Sequence, residues 1–270
     1  MKKWSTNRAN EKRGFFRIMN QVPFFGAETA PFTFYSTSHW LSLVIIAAAC
    51  AFTLGWRGLR KRPRLADIIR HALASILLLF DIMLHVWYFA ADQWDPSWTL
   101  PLHLCGLTLI LSFIMLWTKS YRLFEFNYFA GIGGALQALL TPAAILSGYP
   151  HFTFFYFFVA HGGIIVSSLF MIAAYGFRPR WSSIWRTMLW LNLLIIPVGI
   201  VNYATGGNYM FLAHKPYDPS LLDLLGPWPW YIVSLEGVAL VMCLILYLPF
   251  AIRPKRGVEP VSHEQQKLQP

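Results

Sequence analysis

The chain has 270 residues, of which 56% are apolar, 17% aromatic and 13% charged, with a formal charge of +10. An ordinary globular domain carries about 25% charged residues, so a soluble enzyme, a disordered chain and a disulfide-stapled secreted module are excluded. The charge deficit is confined to stretches about as long as a bilayer crossing, and the basic residues sit at their ends, which points to membrane topology rather than to nucleic acid.

Residues 1–38 form a basic arm (Lys2, Lys3, Arg8, Lys12, Arg13, Arg17) that runs into Phe15–Phe34, an aromatic stretch broken by Pro23 and Pro31. It reads as a segment lying in the membrane interface. A bilayer core about 30 Å thick takes ~20 apolar residues in a helix. Seven such runs follow: His39–Leu54, Ile68–Ala90, Leu100–Trp117, Phe124–Leu146, Phe152–Tyr175, Thr187–Ala204 and Trp230–Ile252. Lipid offers no water to an open backbone, so each run must be helical. Residues 39–252 are therefore expected to form an all-α, polytopic bundle of seven transmembrane helices. Residues 204–229 are too apolar for a solvated loop, and they read either as a lid over the bundle mouth or as an interfacial belt of Trp and Tyr. Residues 253–270 read as a disordered cytoplasmic tail.

Loop charge alternates. The first loop carries Arg57, Arg60, Lys61, Arg62 and Arg64, the third Lys119 and Arg122, and the fifth Arg178, Arg180 and Arg186. The tail adds Arg253, Lys255, Arg256 and Lys267, whereas the second and fourth loops have no Lys or Arg and the sixth only Lys215. The positive-inside rule then places the odd loops and the C-terminus in the cytoplasm of a multi-pass cell-membrane protein, and the N-terminus outside, against the charge of the arm.

A charge at mid-membrane costs ~2.5–3.5 kcal/mol on insertion scales, so intramembrane ionisable groups are functional candidates. On this topology His39, Asp81, His85, His103, Cys105, Gln137, Thr141, His161, Asn202 and Glu236 all fall in the outer half, with Asn192 deeper and Asn208 in the sixth loop. The inner halves read as nearly pure hydrocarbon. A polar pocket toward the outer leaflet is the simplest reading. Asp81 and His85, at i and i+4, share a face. The small residues Ala130, Gly131, Gly134, Ala135 and Ala138 of the fourth run read as helix packing.

Three chemistries fit this set. The first is a cysteine nucleophile with a histidine base. The three cysteines (Cys50, Cys105, Cys243) lie in apolar runs and are not a disulfide framework. Only Cys105 is at pocket depth, although a membrane cysteine by itself is usually a small packed hydrophobe. Positions 103 and 105 point about 200° apart on a helix, so His161 is the better partner for Cys105. The second is a metal-dependent lipid hydrolase on His85, His103, His161, Asp81 and Glu236, though no tight ligand motif supports it. The third is a transporter or binding protein, disfavoured because the polar groups stop short of the inner face.

Six motifs carry a family resemblance: Leu100-Pro101-Leu102-His103-Leu104-Cys105, Tyr128-Phe129-Ala130-Gly131, Leu140-Thr141-Pro142, His161-Gly162-Gly163, Asn208-Tyr209-Met210-Phe211-Leu212 with Lys215-Pro216, and Gly226-Pro227-Trp228-Pro229-Trp230-Tyr231. They resemble the bacterial YwaF-type integral membrane family, which is similar to eukaryotic transmembrane protein 164, a phospholipid acyltransferase. The resemblance implies an acyl-carrying cysteine after Leu-His-Leu, which maps to Cys105, and a histidine before Gly, which maps to His161. The expectation is a lipid acyltransferase or transacylase, with hydrolysis as the variant in which water accepts. Asp81, His85, His103, Gln137, Asn202, Asn208 and Glu236 would support or bind substrate, with Asn202, Asn208 or a hydroxyl as the oxyanion donor. Membrane lipids are the expected partners, with no soluble cofactor, no metal and no nucleic acid.

Overall fold

The computed structural model describes residues 24–26, 31–56, 58–142, 147–216 and 221–252. Among them the protein is all helical: α1 (Thr37–Gly55), α2 (Pro63–Ala90), α3 (Leu104–Thr118), α4 (Tyr121–Phe126), α5 (Ile132–Leu140), α6 (Phe152–Tyr175), α7 (Trp181–Thr205) and α8 (Trp230–Ala251). A π turn, Asn127–Gly131, joins α4 to α5 in one continuous rod. Five helices, α1, α2, α6, α7 and α8, are long and apolar enough to cross a membrane. α3 is apolar but shorter. The helices alternate in direction, so one end of the bundle gathers Arg60, Lys119 and Arg180 (the basic end) and the other gathers residues 91–103, 141–151 and 206–229 (the loop end).

α6 is the central post. It packs on α1, α2, α3 and α5, and 67% of its apolar window is buried against 11% for α1 and α8. Its two glycines explain the packing. A Cβ at Gly162 would stand 2.8 Å from Ile46 Cγ1 of α1, and one at Gly163 would collide with Leu77 Cδ2 of α2. Successive residues turn by about 100°, so the same tripeptide that admits α1 and α2 aims His161 in a third direction.

Several expected boundaries move for local reasons. The third helix begins at Leu104 rather than Leu100, because Pro101 holds the chain outside the helix and His103 becomes the N-cap. The fourth ends at Leu140 rather than Leu146, since Pro142 disfavours helical geometry at Thr141; residues 143–146 are outside the described residues. α2 starts earlier, on Pro63 at its first position, and α7 starts six residues earlier than expected, at Trp181. Part of the N-terminal arm is docked on the bundle: Phe152 N–H donates to Phe24 O (2.8 Å), and Trp87 Nε1 donates to Phe25 O (3.1 Å). Residues 1–23 and the tail 253–270 are outside the described residues.

The expectation of apolar inner halves is corrected. At the basic end Glu125 is buried and accepts from Ser183 Oγ and from Arg186 Nη1 (2.9 and 3.0 Å). Asp67 binds Lys119 Nζ (2.9 Å) and Arg70 Nε (3.2 Å), and Arg70 caps α3 through Leu116 O and Trp117 O. A little deeper, Asn127 Nδ2 donates to Ser112 Oγ (3.0 Å). Burying a charge is tolerable only with such partners.

Candidate active site

A cavity of about 760 Å³ opens at the loop end, between α2, α3, α5, α6, α7 and α8. α6 lines it with Thr153, Tyr156, Phe157, Ala160 and His161, the i, i+3, i+4, i+7, i+8 stripe of one helix face. Asp81, His85, His103, Cys105, Gln137, Asn208 and Glu236 also line it. The polar residues of six separate sequence segments therefore line one cavity.

Cys105 is the second residue of α3. Gly134 of α5 faces it: a Cβ there would sit 3.6 Å from Cys105 Sγ and 3.3 Å from Leu104 Cδ2. The glycine thus makes room for the sulfur. The helix start carries further chemistry. The first backbone N–H groups of a helix have no partner inside it. His103 gives α3 no side-chain cap. Among the described residues nothing accepts from the N–H groups of Leu104, Cys105 or Gly106. Three free donors and the positive end of the helix dipole therefore lie beside the thiol.

His161 Nδ1 lies 2.7 Å from Phe157 O. A carbonyl only accepts, so Nδ1 carries the proton and Nε2 is left as the acceptor. That is the tautomer a base at the Nε2 position needs. Among the described residues Cys105 Sγ makes no hydrogen bond; it and His161 line the same cavity without being a bonded pair.

The remaining expected residues sort by what they touch. Asp81 is not paired with His85, as the i, i+4 spacing had implied; it accepts from Tyr156 OH (3.4 Å) across the α2–α6 interface. His85 instead packs edge-on against Tyr88 (6.2 Å between ring centres). His103 Nδ1 accepts from Met210 N–H (3.3 Å) and so fastens the sixth loop. Asn202 leaves the oxyanion role, because both ends of its amide are taken by Tyr209: Oδ1 accepts from Tyr209 N–H (2.7 Å) and Nδ2 donates to Tyr209 O (3.0 Å). Asn208 is likewise committed: its Nδ2 donates to His214 O (2.8 Å), and its Oδ1 accepts from Ala213 N–H and His214 N–H. His39 lies outside the cavity, its Nε2 donating to Leu139 O (2.9 Å) to tie α1 to α5. Among the described residues no three His, Cys, Asp or Glu side chains are grouped to hold a metal ion, so the metal-ligand set the sequence allowed does not assemble.

The described part of the sixth loop packs back on the bundle; its apolar composition had left this and an interfacial belt open. Tyr209 is fully buried; its hydroxyl donates to Pro96 O (2.8 Å) and accepts from Leu100 N–H (2.9 Å). Tyr231 OH and Trp228 Nε1 hold Phe211 O and Leu212 O. The Leu100–Cys105 and Asn208–Leu212 motifs, a hundred residues apart, thus meet at the cavity mouth.

A model of the TMEM164 family matches residues 34–247. The chain belongs to the TMEM164 family. No curated protein and no solved structure matches it. The matched segment runs from the start of α1 into the last turns of α8 and contains every cavity-lining residue, so the cavity is a feature of the TMEM164 portion, whereas the docked segment at Phe24–Gly26 lies outside it.

Sequence reasoning missed two components of this TMEM164 site. Tyr156, which donates to Asp81 and lines the cavity, stands in Phe152-Thr153-Phe154-Phe155-Tyr156-Phe157-Phe158 and looks like one more belt aromatic. The free amides of α3 have no side-chain signature; the signal that was available is Pro101 just ahead of the helix.

Proposed function

We propose that this protein is a membrane-embedded acyltransferase that moves a fatty acyl chain between lipids, phospholipids foremost, through a thioester on Cys105. The observation that carries the reading is the position of Cys105 at the uncapped start of α3, in the cavity it shares with a His161 whose Nε2 is free to accept a proton.

The steps follow from those groups. Cys105 gives its thiol proton to His161 Nε2 and sulfur attacks the ester carbonyl carbon. The N–H groups of Leu104, Cys105 and Gly106 receive the developing oxyanion, which is where fixed donors contribute most to rate. Collapse breaks the C–O bond; the glycerol oxygen takes the proton from His161 and the deacylated lipid leaves. A second lipid's hydroxyl then passes its proton to His161 Nε2 and attacks the thioester, and the sulfur regains a proton. With water as the acceptor the same groups act as a hydrolase. Tyr156 and Asp81 brace the α6 and α2 walls.

The seven-span topology is part of this proposal. α3 and the 121–140 rod complete the five long helices to seven. The Lys and Arg residues of the basic end favour a cytoplasmic placement for that end, which puts the cavity toward the outer leaflet and the N-terminus outside the cell membrane.

The test is acyl redistribution in vesicles holding purified protein, isotope-labelled phospholipid and lysolipid, followed by mass spectrometry. Redistribution lost in Cys105→Ala and His161→Ala is the expected result. Redistribution that survives Cys105→Ala overturns the mechanism, and label leaving as free fatty acid makes the protein a hydrolase.

A further inference from the structure

α7 and α8 form the least buried flank of the cavity, and their seam carries an anomaly. Asn192, near the middle of α7, is exposed on a face that otherwise presents Leu189, Leu193 and Ile196. Polar groups are costly at that depth and are retained where they do something. Asn192 Nδ2 donates across the seam to Glu236 Oε2 of α8 (3.0 Å) and back to Met188 O (3.0 Å). Glu236 in turn lines the cavity, together with Leu191 and Ile195 of α7 and Leu235 of α8. The pair therefore spans from the bundle's outside surface to its interior. Gly237, next to Glu236, is exposed on the outer face of α8, and a Cβ built there meets nothing within 4 Å.

The valence of the pair is one-sided. Both Asn192 amide hydrogens are used, and Asn192 Oδ1 and Glu236 Oε1 accept nothing among the described residues. What remains is two acceptors and no donor. Such a site repels phosphate and ester oxygens and binds a group with an O–H. Met242 packs on Gly133, next to the glycine that faces Cys105, and Glu236 is six residues nearer the loop end, about 9 Å along the helix. The pair is thus set apart from the reacting atoms and lies on the way to them.

We infer that the Asn192–Glu236 pair is the entry site for the acyl acceptor, a monoacylated lipid that comes sideways between α7 and α8 and donates its free glycerol hydroxyl to these two oxygens. This rests on the acyl-transfer reading, from which it takes the need for a hydroxylated acceptor. A fully acylated donor lipid has no such hydroxyl and is not selected here.

The experiment measures binding, so that it does not depend on turnover. Full-length Cys105→Ala protein in nanodiscs is titrated with lysophosphatidylcholine and with its deoxy analogue, which lacks the glycerol hydroxyl; the choline headgroup has no N–H to confuse the readout. The hydroxylated ligand is expected to bind about tenfold tighter or more, the usual worth of a hydrogen bond to a charged acceptor. Glu236→Gln is nearly isosteric and turns the remaining end from acceptor to donor; with it the preference falls to within about twofold, and Asn192→Leu does the same. A preference unchanged in Glu236→Gln, or absent from the parent protein, overturns the assignment. A preference that depends on Glu236 in a protein whose native form transfers no acyl group keeps this site and removes the reaction.

Discussion

The charged side chains at the basic end of the bundle and the polar side chains that face the cavity at its loop end are treated in opposite ways. At the basic end, Glu125, Asp67 and Arg70 are saturated: the Glu125 carboxylate accepts from Ser183 and Arg186, and Arg70 is spread over Asp67 and two α3 carbonyls. At the loop end the polar groups face a cavity and keep valence in reserve: His161 Nε2, three α3 amides, Glu236 Oε1. Saturated groups fasten helices to one another, whereas groups with a free lone pair or a free N–H are able to meet a substrate. The contrast is the physical reason for placing the chemistry at the loop end, and it predicts that substitutions at the two ends will separate into activity losses and stability losses.

The largest effect is expected at Cys105. Cys105→Ala should lower acyl transfer by about 10⁶-fold, the scale seen when a nucleophile is removed, with the melting temperature in detergent unchanged. His161→Ala should follow at about 10²–10⁴-fold, again with little effect on melting. A large melting shift in either would place that residue with the fastening groups and blur the comparison. At the basic end Glu125→Ala should cost about 2–3 kcal/mol of stability, because it strands Ser183 and frees Arg186, which is half exposed and turns to solvent. Activity per folded molecule should stay near that of the native protein; loss of activity without loss of stability would contradict the division. Gly163→Val should cost about 1–3 kcal/mol by forcing a side chain against Leu77, and should also lower activity, since the same stretch of α6 aims His161. The smallest effect belongs to Asn202→Leu. It releases Tyr209 N–H and O, a loss of about 1–2 kcal/mol, visible as faster hydrogen exchange over 208–212 with a modest fall in transfer rate.

Much of this molecule was legible in its sequence because lipid imposes simple rules. Apolar length gave the helices, and the Leu100–Cys105 and His161–Gly163 motifs led to two residues that do line one cavity. What stayed hidden has a common cause. The saturated groups of the basic end look, in sequence, like the boundary charges of any span, and only the fold shows that Glu125 turns inward to Ser183. The Asp81–His85 spacing was a true same-face relation, yet the nearer partner came from α6 as Tyr156, and helix-to-helix partners have no sequence spacing to read. Asn202 and Asn208 looked like free amides because their partners are backbone atoms of a loop whose path no residue pattern encodes. The π turn at Asn127–Gly131, which joins α4 and α5 in one rod, is equally silent in the apolar run that contains it.

The most direct test of the central claim is the intact mass of the protein after brief incubation with a phospholipid carrying one labelled acyl chain. The account predicts a single acyl adduct on native protein, mapped to the peptide containing Cys105, removed by neutral hydroxylamine as a thioester should be, and absent from Cys105→Ala. Labelled product formed with no adduct on Cys105, or an adduct that persists in Cys105→Ala, would contradict it.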